Sequence, residues 1–553
     1  MLKNRLHRFC FCISALVSIF FAHSPQAVAA APLPQPVTLG SGWQLQDVAK
    51  VPQPGAQVSS AGFDTNGWYA AIVPGTILTT LVNDRVYPEP LYGENERPEI
   101  IPESLVHTSY WYRAVVRIPS AYKDRHVWLN FDGINYSAEV WVNGAQVGTM
   151  RGAFIRGNFD VTAQVKPGEP AVVAVLITPE PNPGVAHEHT LRNGVGQNGG
   201  ITALDGPTFL STLGWDWLDA VRDRDTGIWQ KVFLSATGPV QLKDPFVTTD
   251  LPLPKTDSSD ITVATTVENV SDRPVEGEVR GTIGSIVFER QVTLAPNSSQ
   301  QVTFDAKNTP ALHMEHPRLW WPNGYGAQPM YKLHLEFQTG TAISDAQDVE
   351  FGVRKISYTV PGTDTLTISV NGVLIFIRGG DWGLDEALKR IPSERLDTEI
   401  RLHKLANLNL IRNWVGQSTG EDFYELCDKY GLLVWDEFSS PIRSTAPTPA
   451  MFPPTSPTCA TKFCATATIL RFFCGARATR ATHRRRSTLS CGRCLPRSTR
   501  RESIGRIRPM ARAYVRMDPI TGARRGSSTP SPTTFSKRKR AALRFLRLSR
   551  SAA

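Results

Sequence analysis

Residues 408–438 read LNLIRNWVGQSTGEDFYELCDKYGLLVWDEF, and their apolar pattern indicates a parallel βαβ unit. The segments 408–411 and 432–435 are short, apolar and predicted to be buried strands. Between them, one apolar face recurs at i, i+3, i+4 and i+7, formed by Phe423, Leu426, Cys427 and Tyr430. This spacing predicts an amphipathic helix, and Gly431 is the residue expected to end it.

The segments upstream of this unit extend the same alternation. Residues 373–377 form an apolar run that predicts a buried strand, and Ser393 is expected to cap a helix that runs to Ala406. Strand, helix, strand, helix and strand joined by short connections predict the opening of a parallel α/β barrel. A closed barrel needs eight strand–helix units. We therefore assign residues 359–438 to an incomplete (β/α)8 barrel that stops after roughly two and a half units.

The preceding 300 or so residues have the period of β strands instead. Val127, Leu129 and Phe131 alternate with the residues at 128, 130 and 132, which are Trp, Asn and Asp, and Asn143-Gly144 is a strong hairpin signal. About 200 residues of this pattern predict a jelly-roll β sandwich over residues 30–243. Residues 244–358 restart after Pro245 and have the length of an immunoglobulin-like β sandwich. The predicted fold class is thus multidomain: jelly roll, immunoglobulin-like sandwich and incomplete barrel.

Charge divides the chain into two unlike parts. The whole chain has a net charge of +10, but residues 443–553 hold 25 Lys and Arg against 2 acidic residues. The remaining 35 basic and 48 acidic residues belong to residues 1–442, and all 13 Trp precede residue 436. The body is therefore acidic and aromatic-rich, and residues 439–553 form an aberrant basic tail.

The N-terminus has the pattern of a secretory signal peptide. Lys3, Arg5 and Arg8 precede an apolar run, and Ala27-Val-Ala29 fits a cleavage site. We expect residues 1–29 to be removed and the protein to be secreted or periplasmic, the alternative being a retained membrane anchor. Beyond this segment no membrane association is expected. Cys427 is the single thiol of the body, so no disulfide framework is predicted.

Polar and aromatic residues follow the predicted barrel strands. Chemistry in such barrels takes place at the C-terminal strand ends, and the candidates there are Asp381-Trp382, Arg412-Asn413-Trp414 and Asp436-Glu437. Indole faces beside carboxylates and amides suit sugar rings, although a Trp at a strand end is often a core residue. Asp436 and Glu437 are adjacent on a strand and point to opposite faces, which argues against a catalytic pair.

Motifs along most of the body resemble one enzyme family, glycoside hydrolase family 2 in its β-mannosidase and exo-β-glucosaminidase branch. The resemblance covers about residues 40–438. The motifs that carry it are Val73-Pro-Gly-Thr76, Ser109-Tyr-Trp-Tyr-Arg113, Trp141-Val-Asn-Gly144, Gly214-Trp-Asp-Trp217, Asp225-Thr-Gly-Ile-Trp229, Leu319-Trp-Trp-Pro-Asn-Gly-Tyr-Gly326, Phe351-Gly-Val-Arg354, Ile411-Arg-Asn-Trp414 and Cys427-Asp-Lys-Tyr-Gly431.

The resemblance implies a retaining exo-β-glycosidase that needs no cofactor or metal and acts on an oligosaccharide or glycan. The substrate-binding residues it implies are Trp215, Asp216, Trp414, Trp382, Asp381 and Arg412. The expected substrate is a terminal β-mannoside. One alternative is an exo-β-D-glucosaminidase, and another, of a different class, is a noncatalytic carbohydrate-binding remnant. The oligomeric state is left open.

Neither catalytic Glu of the family has a counterpart in this chain, so the chain as given is expected to be inactive. The family's acid/base lies in a Trp-x-x-x-Asn-Glu motif, and its nucleophile near the seventh barrel strand. A one-base shift of reading frame at residues 457–485 permits L-W-C-[AS]-R-N-E, which contains that motif. The same shift at residues 538–542 permits E-[TA]-G-S, which resembles the nucleophile segment. The tail is therefore interpreted as frameshifted; a basic nucleic-acid-binding arm is the alternative, and no nucleic-acid partner is expected.

Overall fold

The computed structural model describes residues 33–97, 99–181, 183–185, 201–202, 221–359, 367–383, 385–413 and 420–436. These residues belong to one compact unit and form two β sandwiches followed by a small α/β layer. The predicted signal peptide 1–29 and the basic tail 439–553 lie outside the described residues.

The first sandwich has two principal antiparallel sheets, with strand orders β1-β14-β6-β9 and β3-β2-β5-β10-β7-β8. Two further strand pairs, β11-β12 and β13-β4, flank them. The elements are β1 (Val37–Thr38), β2 (Trp43–Asp47), α1 (Gly55–Val58), β3 (Tyr69–Ala70), β4 (Gly75–Thr76), α2 (Ile77–Asn83), β5 (Tyr110–Arg117), β6 (His126–Phe131), β7 (Ser137–Val142), β8 (Ala145–Arg151), β9 (Gly157–Asp160), β10 (Pro170–Thr178), β11 (Gly184–Val185), β12 (Ile201–Thr202), β13 (Gly227–Ile228) and β14 (Val232–Thr237).

The hairpin predicted at Asn143-Gly144 joins β7 to β8. Both residues have positive φ, 46° and 89°, which is the conformation that a two-residue turn between twisted strands requires. Leu129 and Phe131 on β6 are buried in the sandwich core. The intervening Trp128 and Asn130 are buried as well, so β6 is covered on both faces and shows no alternation of burial. The jelly-roll prediction is confirmed as a β sandwich.

The second sandwich packs one four-stranded sheet on another. Its first sheet is β15-β16-β19, with β20 also paired to β16, and its second is β18-β17-β21-β22. The strands are β15 (Val240–Asp250), β16 (Ser258–Asn269), β17 (Val275–Ile283), β18 (Ile286–Leu294), β19 (Ser298–Phe304), β20 (His313–Glu315), β21 (Tyr331–Thr339) and β22 (Ala342–Phe351). Alternate residues of these strands meet in a single apolar core, as an immunoglobulin-like sandwich requires.

The α/β layer contains an antiparallel sheet, β23-β24-β25, and a parallel sheet, β26-β27-β28. Its elements are β23 (Ile356–Thr359), β24 (Thr367–Val370), β25 (Val373–Leu374), β26 (Gly379–Trp382), α3 (Ser393–Leu405), β27 (Leu410–Asn413), α4 (Glu421–Tyr430) and β28 (Leu433–Asp436). Helices α3 and α4 connect consecutive parallel strands, which is the predicted opening of an α/β barrel. The expected continuation lies outside the described residues.

Two details of the predicted layer were wrong. The run at residues 373–377 is not the first barrel strand, because only Val373–Leu374 is extended and it forms an exposed antiparallel hairpin with β24. The first parallel strand is Gly379–Trp382 instead. Ser393 is the first residue of α3, and the N-cap position belongs to Pro392, which makes no capping side-chain hydrogen bond.

Among the described residues, no helix has the length and apolar character needed to cross a bilayer. Cys427 is a free, buried thiol on α4. Burial, with Asp428 and Asp436 nearby, raises the pKa of that thiol well above its usual value, so it behaves as an apolar core side chain.

Candidate functional site

The carboxyl ends of the three parallel strands align two rows of side chains. Asp381 is paired in register with Arg412, which is paired with Trp435. One residue further along, Trp382, Asn413 and Asp436 form the second row. Because successive side chains of a strand point to opposite faces, the two rows lie on opposite faces of the sheet.

The first row forms a polar and aromatic face. Arg412 Nη1 donates to Asp381 Oδ1 at 3.2 Å, and the Arg412 guanidinium lies 5.7 Å from the centre of the Trp435 ring. Asp381 is 54% exposed and Arg412 35% exposed, so a solvated ion pair contributes little to stability. Both groups are accessible to solvent at the strand ends, where a polar ligand can contact them.

The second row faces the helices. Trp382 stacks on Phe423 of α4 with ring centres 5.7 Å apart and an interplanar angle of 28°, and it meets His403 of α3 edge-on. Trp382 was expected beside the sugar together with Asp381. The structure separates the two, because the pleat turns the indole toward the helical layer, where it is a packing residue.

Asp436, in the same row, is already hydrogen-bonded to neighbouring side chains. It accepts hydrogen bonds from Asn413 Nδ2 at 2.7 Å and from the Tyr424 hydroxyl at 2.8 Å. This buried network ties the ends of β27 and β28 to α4, so Asp436 has a structural role. Glu437, its neighbour in the sequence, lies outside the described residues.

Three of the predicted sugar-binding residues lie outside the described residues: Trp215, Asp216 and Trp414. Their roles remain predictions. Of the described candidates, the structure brings Asp381 and Arg412 together and adds Trp435 beneath the guanidinium. The sequence analysis assigned Trp435 only to a strand and did not name it as a candidate site residue. The signal that could have shown it is its in-register position beside Arg412.

The loop that follows β26 is fastened to the first sandwich. Arg390 makes two hydrogen bonds to the Glu89 carboxylate, at 2.7 and 3.1 Å, and it also binds Glu386. Leu388 in the same loop is fully buried in the core of the first sandwich. The loop at the carboxyl end of β26 is thereby held against the domain that carries Trp215 and Asp216.

A buried charged cluster of the first sandwich lies beside this loop. Asp223 accepts a hydrogen bond from the Leu78 amide at 2.7 Å, and the Arg224 guanidinium pairs with Glu103. Burial raises the pKa of Asp225 well above its usual value, and the nearby Lys389 of the loop opposes that rise. The sequence showed these residues only as a charged loop; their burial depends on contacts with distant segments.

The described residues contain no group of three or more His, Cys, Asp or Glu side chains arranged to hold a metal ion. The chemistry that this face offers is hydrogen bonding by one carboxylate and one guanidinium over an indole. Such a combination binds a polyhydroxylated ring, because the hydroxyls need directional partners and the C–H faces pack on aromatic surfaces.

Two family models match the chain. Residues 43–230 match the model described as glycosyl hydrolase 2 galactose-binding domain-like, and residues 240–354 match the model described as glycosyl hydrolases family 2. These ranges cover most of the two sandwiches.

Characterised proteins resemble the chain over most of the same region. An exo-β-D-glucosaminidase of Streptomyces avermitilis is 32% identical over 415 residues, which are 73% of this chain and 42% of that protein. A mannosylglycoprotein endo-β-mannosidase of Lilium longiflorum is 32% identical over 418 residues, or 72% of this chain and 43% of that protein. The chain spans less than half the length of these relatives.

Solved structures show the same architecture. The exo-chitosanase of Amycolatopsis orientalis matches with a TM-score of 0.61 and 28% identity, over 74% of this chain and 44% of that one. A β-D-mannosidase of Dictyoglomus thermophilum matches with a TM-score of 0.56 and 23% identity, over 73% and 47% of the two chains. This second likeness concerns the fold alone.

Proposed function

The chain belongs to glycoside hydrolase family 2, in its β-mannosidase and exo-β-glucosaminidase branch, and from this we propose that Asp381, Arg412 and Trp435 form part of a site for the terminal sugar of a β-linked oligosaccharide. The observation that carries the proposal is the exposed Asp381–Arg412 pair over an indole, at the carboxyl ends of parallel strands. Ligands of such sheets bind at those ends.

Trp215, Asp216 and Trp414 complete the proposed site. Trp215 and Asp216 belong to the domain that the Arg390–Glu89 contact fastens to the loop after β26. Trp414 directly follows β27. Trp382 supports the site from the helical side by fixing the end of β26, without contact to the sugar.

The proposed parent activity is retaining exo-hydrolysis of a terminal β-hexoside. Our first expectation for the sugar is a β-mannoside, and the alternative is a β-D-glucosaminide. The relatives divide between the two, since one at 32% identity is named for glucosaminides and another for mannosides. Glucosaminide specificity needs a further anionic or acceptor group near the 2-amino substituent.

We expect no hydrolysis by the 553-residue chain itself. It contains no Trp-x-x-x-Asn-Glu motif, whereas retention requires an acid/base carboxyl and a nucleophile about 5–5.5 Å apart. Sequencing the gene across codons 430–450 tests the proposed frameshift. A one-base correction that restores the motif and a later nucleophile Glu supports it; an unaltered frame contradicts it.

Turnover and binding test the proposal separately. The purified chain should release no nitrophenol from 4-nitrophenyl β-mannoside or β-glucosaminide, and turnover of either would overturn the expected inactivity. It should bind the matching disaccharide, with Asp381→Asn and Arg412→Gln each weakening binding about tenfold. Glu276→Gln, an exposed change on β17, is the control. Equal binding by all four proteins would exclude this face as the sugar site.

Secretion or periplasmic export is proposed from residues 1–29 alone. N-terminal sequencing of the protein recovered from an exporting host should begin near residue 30. A mature protein that still begins at Met1 would contradict the proposal.

A further inference from the structure

A large cleft lies between the two sandwiches and the outer side of α4. Its volume is about 1560 Å³, which exceeds the roughly 300–1,000 Å³ of pockets for single small molecules. Asp381, Arg412 and Trp435 do not line it, so it is separate from the candidate sugar site. Helix α4 starts near the carboxyl end of β27, and its acidic first turn places one end of the cleft at the same end of the sheet.

The described lining of the cleft is acidic. It contains ten Asp and Glu side chains against four Lys and Arg, and one of the ten, Asp345, is a buried group whose pKa burial raises to about 7. Three of those cations are already paired: Lys243 with Glu268, Lys429 with Asp397, and Arg156 with Asp132 and Glu421.

Several of the carboxylates lack such a partner. Among the described residues, no ion pair is found for Glu350, Asp422 or Glu425. Partial desolvation raises the pKa of Asp422 and of Glu425, and neighbouring carboxylates add to the rise at Glu425. The three unpaired carboxylates, and not these shifts, give the cleft wall its excess of negative charge.

The cleft also holds a buried amide with an unused acceptor. Val240 and Leu242 on β15 point into the core of the second sandwich, so Gln241 between them points away from that core, on the side of the cleft that it lines. Gln241 is only 8% exposed, and its Oε1 has no hydrogen-bond partner within the described structure. A buried carbonyl oxygen without a donor is costly, and a ligand N–H or O–H would satisfy it.

The facing wall, on the first sandwich, is built similarly. Asn158 Nδ2 donates to Asn130 Oδ1 at 2.7 Å, and Asn130 Nδ2 donates to Ser235 Oγ at 2.9 Å. Asn158 Oδ1 is a second buried acceptor without a partner among the described residues. Each sandwich wall thus holds one buried acceptor without a partner among the described residues, and the third wall, on α4, presents carboxylates.

We propose that this cleft binds a polycationic oligosaccharide, a glucosamine oligomer with free amino groups, along its carboxylates and amide acceptors. Ammonium and hydroxyl groups are the donors that such a lining lacks, and the volume fits several sugar units. The choice of glycan rests on the glucosaminide alternative of the proposed function.

Calorimetric titration of the full 553-residue chain with a fully deacetylated glucosamine hexamer tests the proposal. The N-acetylated hexamer is the neutral probe of equal length. At low salt the deacetylated hexamer should bind at least tenfold more tightly than the neutral one, and its affinity should fall as salt is raised. Equal affinities, or no binding of the deacetylated hexamer, would overturn the proposal.

Substitutions in the lining test whether the hexamer binds in the cleft. Glu425→Gln and Glu350→Gln remove exposed carboxylates of the lining, and each should weaken hexamer binding about fivefold. Glu276→Gln makes the same charge change on β17 outside the cleft and should have no effect. Hexamer affinity that is insensitive to both cleft variants would exclude the cleft.

The same variants separate this proposal from the proposed function. Arg412→Gln should weaken disaccharide binding and leave the salt-dependent part of hexamer binding in place. If Arg412→Gln abolishes hexamer binding while the cleft variants leave it intact, the strand-end site stands and the cleft is excluded. If the cleft variants weaken hexamer binding and no disaccharide binds, the cleft stands and the strand-end site fails.

Discussion

At the scale of single residues, Asp345 is a buried carboxylate that forms no ion pair with the described residues. It accepts backbone hydrogen bonds from Leu242 at 2.7 Å and from Ala346 at 2.9 Å. These bonds favour the charged form, but burial outweighs them and raises the pKa of Asp345 to about 7. The residue thus holds a proton in the folded protein at pH values where the unfolded chain has lost it.

This shift predicts a stability that falls with rising pH. Between about pH 4 and pH 7 folding takes up a proton at Asp345, so its contribution is fully present below pH 4 and is lost as pH rises through about 7. The slope is at most about 1.4 kcal/mol per pH unit. Urea unfolding at several pH values measures it. Asp345→Asn should flatten the slope, and the exposed Asp257→Asn should not; equal slopes in all three proteins would refute the assignment.

At the scale of elements, the end of β26 is held by aromatic packing. Trp382→Ala removes the indole that stacks on Phe423 and should lower the free energy of unfolding of the protein by about 2–3 kcal/mol, because the side chain is half-buried. Asp381→Ala in the same strand should cost under about 1 kcal/mol. Urea unfolding followed by proteolysis within α3 measures both. Similar losses for the two variants would place Trp382 outside the core.

The C-terminus of α4 depends on a glycine. Gly431 has φ +81°, and a Cβ there would lie 2.8 Å from the Asn323 backbone nitrogen. Gly431→Ala combines left-handed strain of about 1 kcal/mol with that contact. Gly284→Ala, at φ +58° with nothing near its Cβ, carries only the strain. In thermal unfolding we therefore expect the melting temperature of Gly431→Ala to fall further than that of Gly284→Ala. Equal falls would show that the contact with Asn323 relaxes without cost.

At the scale of the whole molecule, a buried cluster around Arg354 is among the contacts that join the second sandwich to the α/β layer. The Arg354 guanidinium lies 4.6 Å from the centre of the Trp320 ring and 3.3 Å from Asp428 Oδ1 on α4. Trp320 Nε1 donates to the Asp428 carbonyl at 2.8 Å. The two parts should therefore unfold together.

Removing Arg354 should uncouple them. Arg354→Ala leaves the Asp428 carboxylate buried without its cation, which typically costs about 3–5 kcal/mol. We expect Trp fluorescence and far-UV circular dichroism, which coincide in urea unfolding of the parent, to separate in this variant. Arg273→Ala, on an exposed loop of the same sandwich, is the control. Coincident curves in the Arg354 variant would show that the two parts are joined by other contacts.

The sequence by itself determined the order of the domains, the hairpin at Asn143-Gly144 and helix α4 with its end at Gly431. It also determined two parallel strands, which were predicted at residues 408–411 and 432–435 and lie at residues 410–413 and 433–436. These features depend on short-range periodicity and on backbone conformations that particular residues favour. Asp381 and Arg412 were predictable as neighbours, because the carboxyl ends of parallel strands meet at one edge.

Tertiary structure alone decided the rest. It placed Trp382 on the helical face, made residues 373–374 a hairpin instead of the first barrel strand, and gathered the carboxylates of the interdomain cleft. It also buried Arg354 against Asp428. These outcomes depend on which distant segments pack together, and on the desolvation that results, and neither quantity is contained in the local spacing of apolar residues.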